Sequence, residues 1–233
     1  MSQLKPKFIY FDLDDTLLDH KKAEHAGLRD IHRHFTEFGD IPEDNLLTTY
    51  HRINKGLWEE YGKGEIDRHI LQRRRFEETF RDIGMDETMY EEAGKVYLDY
   101  YRNHWEWIDG AKEAYHRIAD SYKVGIITNG FAETQRLKIA KFDFKSTASQ
   151  IVISEDLGVM KPHPKIFEHA TTLTGVTRDE ILYVGDSLTS DVIGSSKAGW
   201  KVAWYTKNPT EEGREMASLV FDDFDKLLDY LGV

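Results

Sequence analysis

Phe8-Ile9-Tyr10-Phe11-Asp12-Leu13-Asp14-Asp15-Thr16-Leu17-Leu18 constrains this chain more than any other stretch. Its first half is short, aromatic and apolar on both faces, the pattern of a strand buried between two layers. That strand runs directly into the carboxylates of Asp12, Asp14 and Asp15. Like charges packed so closely repel unless a proton or a cation relieves them. A divalent metal site is the simplest relief, and the rest of the chain can be searched for its missing parts.

The 233 residues suffice for one large domain, or for a core domain carrying a smaller insert. With 40% hydrophobic and 31% charged residues, the chain has the make-up of a soluble globular protein rather than a disordered one. The formal charge of −11 speaks against binding a nucleic-acid polymer or an anionic membrane, since both require a basic face. A small phosphorylated substrate stays open, because one metal ion and one lysine suffice to hold it. Without cysteine there is no disulfide, thiolate nucleophile or cysteine–zinc site. No leader pattern and no long apolar run is seen, so the expectation is a cytoplasmic protein, monomeric or weakly dimeric, with no membrane partner.

Strand one is placed at Lys7–Phe11. From Leu17 to His104 the pattern becomes helical, with amphipathic segments at Lys21–Phe38, Asp44–Tyr61, Asp67–Ile83 and Asp86–His104. After Asp109-Gly110 helix and strand alternate. Helices are expected at Ala111–Ser121, Ala132–Lys141, Pro164–Leu173, Leu188–Ala198 and Phe224–Leu231. Strands are expected at Lys123–Ile127, Gln150–Ile153, Ile181–Val184, Lys201–Trp204 and Leu219–Phe221. The fold class is therefore α/β, a Rossmann-like parallel sheet covered by helices, with an inserted all-helical bundle. The expected division is a core of residues 1–16 and 105–233 and a helical cap of residues 17–104.

Four of these strands end in polar clusters: Asp12/Asp14, Thr128/Asn129, Ser154/Glu155 and Asp186. Open parallel sheets bind ligands outside the carboxyl ends of their strands, so the clusters would share one edge. Asp12, Asp14 and Asp186 offer hard oxygen ligands suited to Mg2+. Lys161, set against Pro162 and Pro164, provides a fixed ammonium for a nucleophile or a transferring group. Thr128, with the amides of Asn129 and Gly130, suits phosphoryl oxygens at a strand-to-helix turn. Each cluster has a plainer reading as well. Thr-Asn-Gly is a common turn, Lys-Pro punctuates loops, Gly185-Asp186-Ser187 suits a helix cap, and Asp191 suits a solvated helix face.

Asp12-Leu13-Asp14-Asp15-Thr16, Thr128-Asn129-Gly130, Lys161-Pro162 and Gly185-Asp186-Ser187 with Asp191 resemble, in order, the four motifs of the haloacid dehalogenase (HAD) superfamily. The helical block falls between the first and second motifs, where members with a helical cap carry it. Within it, Leu57-Trp58-Glu59-Glu60-Tyr61, Gly64-Glu65-Ile66 and Arg73-Arg74-Arg75-Phe76 resemble the branch of pyrimidine and house-cleaning 5′-nucleotidases. The resemblance implies a magnesium-dependent phosphatase in which Asp12 is the nucleophile and forms an aspartyl-phosphate. It implies that Asp14 moves protons, and that Mg2+ is held by Asp12, the Asp14 backbone carbonyl and Asp186, with Asp191 orienting its water. Thr128, Asn129, Gly130 and Lys161 would bind the phosphoryl group. Dehalogenases lack the second acid, so Asp14 points away from halide chemistry. A sugar phosphomutase or phosphoryl transferase, and a non-catalytic phosphate-binding protein, are the alternatives.

The implied substrate is a small phosphomonoester, with nucleoside 5′-monophosphates first. Trp58, Tyr61 and Arg68 are the candidate selecting residues on a lid that would exclude water. Trp58, Phe76, Phe80, Tyr97 and Tyr101 also suit a bundle core, and the Arg73–Arg75 run suits pairing with Glu77 and Glu78. The ten histidines show no metal-ligand spacing in the sequence. Asp15 is expected to face away from the site and cap the turn with Thr16.

Overall fold

The computed structural model describes residues 5–233, and it divides into two compact units. One comprises the chain up to Asp19 together with Trp107–Val233, and the other is His20–Glu106.

The first unit holds a six-stranded sheet, all parallel, in the order β3-β2-β1-β4-β5-β6. The strands are β1 (Phe8–Phe11), β2 (Lys123–Thr128), β3 (Gln150–Ile153), β4 (Ile181–Gly185), β5 (Lys201–Tyr205) and β6 (Leu219–Phe221). This is the strand order of doubly wound nucleotide-binding folds, in which the chain reverses its winding direction beside β1. Alternation along β1 explains its all-apolar sequence. Ile9 and Phe11 enter one core with Val124, Ile126, Leu182 and Val184, while Phe8 and Tyr10 enter the opposite core with Ile127, Ile181 and Tyr183. Both faces are dry, and a strand with two buried faces has no polar side to show.

In chain order the helices are α1 (His20–His34), α2 (Glu43–Gly62), α3 (Arg68–Ile83) and α4 (Tyr90–Asn103) in the second unit. The first unit carries α5 (Ala111–Ser121), α6 (Ala132–Lys141), α7 (Ser154–Leu157), α8 (Pro164–Thr174), α9 (Gly194–Lys197), α10 (Glu211–Met216) and α11 (Phe224–Leu231). Residues of α5, α6 and α11 cover one face of the sheet, and Ile166, Phe167 and Ala170 of α8 the other.

Local differences from the expected elements have identifiable causes. The first cap helix stops at His34 and is followed by a 3-10 turn at Thr36–Phe38, and another such turn, Glu87–Met89, precedes α4. Asp67 is the N-cap of α3 and its side chain accepts from the Ile70 amide, so it lies just outside the helix. Ser154-Glu155 follows directly on the end of β3, as expected, and opens the short α7. The segment expected as one helix from Leu188 opens as a π-helix, Leu188–Ile193, before α9. Widened turns of this kind are frequent at functional sites.

The helical unit closes on Tyr50, Phe76, Phe80, Tyr97 and Tyr101, all buried, while Trp58 is half-buried. A Cβ on Gly27 would lie 3.1 Å from the Tyr101 backbone, so α1 and α4 approach as closely as glycine allows. The arginine run splits: Arg73 pairs with Glu77, and Arg74 with Glu78 and Glu60. Arg75 turns inward, its guanidinium 5.3 Å from the Tyr97 ring centre. Among the described residues, no helix is long and apolar enough to cross a membrane.

Candidate active site

Parallel pairing sets the site. Phe11 pairs with Ile126 on one side and Val184 on the other, and the Asp12 amide donates to the Val184 carbonyl at 2.8 Å. Asp12 thus leaves the sheet between the ends of β2 and β4, at the reversal point of the winding where such folds bind ligands. Just beyond it the chain turns back, with the amides of Leu17 and Leu18 both donating to the Leu13 carbonyl. Asp15 takes up a left-handed conformation (φ 61°) in this turn. Thr16 does not simply cap the turn, as expected. It is fully buried, and its hydroxyl lies 3.4 Å from Asp12 Oδ2 and 3.3 Å from Asp186 Oδ1, linking the two strand ends.

Lys161 is the hub. Its ammonium donates to Asp12 Oδ1 at 2.6 Å, Asp191 Oδ1 at 2.8 Å and the Tyr183 hydroxyl at 2.7 Å. Those three bonds use all of its protons. Burial works against the charge, but Asp12 and Asp191 outweigh it and hold the Lys161 pKa above that of an ordinary lysine. Burial pushes the Asp12 carboxyl well above the ordinary carboxylate range; Lys161 pulls it back, and Asp191 and Asp14 push it further up. Asp191 is not on a solvated face. It is buried, and its second oxygen accepts from the Ser187 amide at 3.0 Å. A Cβ on Gly185 would lie 2.5 Å from that carboxylate, so only glycine lets Asp191 sit there.

The second-motif residues serve their neighbours in this state. Asn129 clasps the main chain of Lys161 from both sides, donating to its carbonyl and accepting from its amide, each at 2.9 Å. The buried Thr128 hydroxyl accepts from Gln135 Nε2 at 2.5 Å. The Gly130 amide points to the Ser154 hydroxyl at 3.4 Å, and Glu155 accepts from the Ala132 amide at the start of α6.

Asp14 has partners of its own. Its oxygens take Lys138 Nζ at 2.6 Å and Gln135 Nε2 at 2.9 Å, both from α6. Lys138 and Gln135 are buried although they are polar residues on a helix. Sequence reasoning missed them, together with Tyr183, which stands in the middle of a strand that reads as pure core. Their only signal was position, one and two turns into the helix that follows Thr128-Asn129-Gly130.

The carboxylate oxygens of Asp12, Asp186 and Asp191 lie within 4.8 Å of one another. An oxygen-only set, two of its members buried, is the donor chemistry a small hard dication requires. The Asp14 carboxylate is not in this group, being held by α6.

A family model described as haloacid dehalogenase-like hydrolase matches residues 9–205. This chain belongs to the haloacid dehalogenase-like hydrolases. Among the relatives of this hydrolase, pyrimidine 5′-nucleotidase YjjG of Escherichia coli (strain K12) is 30% identical, over 92% of each chain. A glyceraldehyde 3-phosphate phosphatase of Pyrococcus furiosus is also 30% identical, over 97% of this chain and 92% of its own. The crystal structure of the HAD-hydrolase YfnB of Bacillus subtilis, solved bound to magnesium, superposes with a TM-score of 0.85 at 24% identity. It covers 98% of this chain and all of that one. That likeness is one of fold.

Proposed function

We propose that this hydrolase is a Mg2+-dependent phosphatase of small phosphomonoesters, with nucleoside 5′-monophosphates as its substrate class. The observation that carries the reading is the different partners of the two strand-end carboxylates. Asp12 lies against Lys161, beside Asp186 and Asp191, whereas the Asp14 carboxylate lies outside that group and is bonded to Lys138 and Gln135. Phosphate binding alone has no use for a second acid tethered separately. Cleaving an ester with a poor leaving group does, because its alkoxide needs a proton.

Mg2+ would be held by Asp12, Asp186 and the main-chain carbonyl of Asp14, with Asp191 steadying the set. Bound there, it would offset the repulsion between a phosphate dianion and the Asp12 carboxylate. Asp12 attacks phosphorus, the Asp12–phosphorus bond forms as the ester bond breaks, and Asp14 gives the leaving oxygen its proton. Asp14 then takes a proton from the water that hydrolyses the aspartyl-phosphate. Lys161 stabilises negative charge on Asp12 and on the phosphoryl group, and Thr128, Asn129 and Gly130 frame the phosphoryl oxygens. Asn129 also holds Lys161 in place.

The relatives' names agree on phosphate esters and differ on the leaving group, one a nucleoside and one a triose. We assign that choice to the helical unit, where Trp58 and Tyr61 lie edge to face at 5.6 Å and Arg68 opens α3. Two aromatic rings and a guanidinium are suited to a base and its sugar. A panel of ribo- and deoxynucleotides, sugar phosphates and triose phosphates, assayed with and without Mg2+, tests the proposal. Metal-dependent release fastest from nucleotides supports it. Release fastest from triose phosphates would overturn the substrate class, and no release from any member would overturn the activity.

A further inference from the structure

A second group of ligating side chains lies within the helical unit, and the proposed chemistry does not use it. Glu24 and His25 on α1 and His51 on α2 place a carboxylate oxygen and two imidazole nitrogens within 4.8 Å of one another. We propose that these three residues form a site for a divalent d-block ion, Zn2+, Ni2+ or Co2+, that ties α1 to α2.

Glu24 is the buried member of the group. Its side chain is only 4% exposed, yet its partners are imidazoles and an amide. His51 Nδ1 lies 3.4 Å from Oε1, Asn54 Nδ2 donates to Oε2 at 3.1 Å, and His20 Nε2 lies 3.8 Å from Oε2. Taking a carboxylate out of water is costly unless a positive charge meets it, and a bound dication would supply that charge. Asn54 is itself incompletely satisfied, since its Oδ1 is buried without a hydrogen-bond partner. The group therefore offers a buried carboxylate and two imidazole nitrogens as ligand atoms.

Geometry and ligand type then choose the ion. The His25 and His51 rings stand 6.4 Å apart at 78°, the near-perpendicular arrangement in which two imidazoles approach a common point without stacking. Tetrahedral zinc at about 2.0–2.1 Å from each ligand needs ligand atoms about 3.3 Å apart, so modest side-chain rotation closes the group. Two nitrogens and one oxygen suit Zn2+, Ni2+ or Co2+ and are poor for Mg2+, the reverse of the oxygen-only set of Asp12, Asp186 and Asp191. His51 is 52% exposed, which leaves a way in for the ion and a place for a water ligand. His20 turns its Nδ1 to the Tyr101 hydroxyl at 2.8 Å and its Nε2 toward Glu24, so it is placed to brace the carboxylate. No sequence spacing announces the group, because His51 lies 27 positions from Glu24 and meets it only through helix packing.

The test is calorimetric titration of the full chain with Zn2+ in saturating Mg2+, repeated on His51→Ala, His25→Ala and Asp186→Asn. One equivalent should bind to the wild type and to Asp186→Asn. Affinity should fall about tenfold or more in each histidine variant, as circular dichroism shows both to be folded. Zinc absorption spectroscopy should show two imidazole ligands. Absence of zinc binding, binding unaffected by His51→Ala, or binding lost only in Asp186→Asn with an oxygen-only shell would each overturn the site.

Discussion

Lys138 Nζ lies 2.6 Å from Asp14 Oδ1, with the lysine buried and the aspartate about a fifth exposed. A charge-assisted hydrogen bond of this length fixes where the carboxylate points. Gln135 Nε2 fixes the other oxygen, while Gln135 Oε1 is buried without a partner. An amide can turn over, offering NH2 to a carboxylate or C=O to a carboxylic acid, and so suits a group that changes protonation during turnover. Lys138→Met keeps the buried stem and removes the charge. It should lower kcat by about tenfold or more with little change in KM, and displace the pH–rate profile, as expected for loss of support to a general acid–base group. Steady-state kinetics against pH on nucleotide substrates checks this. An unchanged profile would show that Lys138 only packs.

Asp14→Asn should discriminate between leaving groups. Nitrophenolate leaves without a proton, whereas a nucleoside alkoxide does not, so kcat should fall far more on nucleotides than on nitrophenyl phosphate. Mg2+ binding, followed by calorimetry, should survive because the carboxylate lies outside the oxygen cluster. Equal losses on the two substrates would remove the proton role from Asp14.

Tyr183 tests the support beneath Lys161. Its hydroxyl accepts from the ammonium at 2.7 Å and donates to the Ile127 carbonyl at 3.2 Å, all in a buried setting. Tyr183→Phe leaves one donor and one acceptor unpaired, costing about 1–2 kcal/mol. That loss should appear as a fall of roughly 3–6 °C in Tm, read by calorimetry, with a moderate loss of kcat.

Much of this was legible in the sequence. The strand ends could be placed because a buried parallel strand has one chemical signature along its length and another where it stops, as Phe11-Asp12 and Val184-Gly185-Asp186 show. What stayed hidden follows from what a one-dimensional pattern cannot express. Gln135 and Lys138 look like the wet side of a helix, and only the tether to Asp14 explains why they are buried. Tyr183 looks like core because it is core, and its hydroxyl matters through Lys161, which arrives from a distant loop. Asp191 sits in a π-helical turn that no helical periodicity predicts. Helix α10 is too short and polar to give an amphipathic signal.

Acid stability carries a prediction away from the site. Glu180 Oε1 pairs with Lys7 Nζ at 2.5 Å, and Oε2 accepts from the Thr177 amide and hydroxyl. The Lys7 contact, then the two bonds from Thr177, draw the Glu180 pKa down to about 2 from 4.5. A depressed carboxylate pKa contributes stability that is fully present above the unfolded value and is lost as pH falls toward the folded one. The Tm advantage of the wild type over Glu180→Gln should therefore hold above pH 4.5 and shrink progressively below it, followed by thermal melts across that range. An advantage independent of pH would assign the effect to packing.

The central claim is that Asp12 takes the phosphoryl group. The direct measurement is acid-quench of the protein within milliseconds of mixing with Mg2+ and a phosphomonoester radiolabelled in its phosphate, followed by mapping of the labelled peptide. Labelling of Asp12 in the wild type, and of no residue in Asp12→Asn, is the predicted result. A wild type that releases phosphate without ever carrying label, or label that persists in Asp12→Asn, would contradict it.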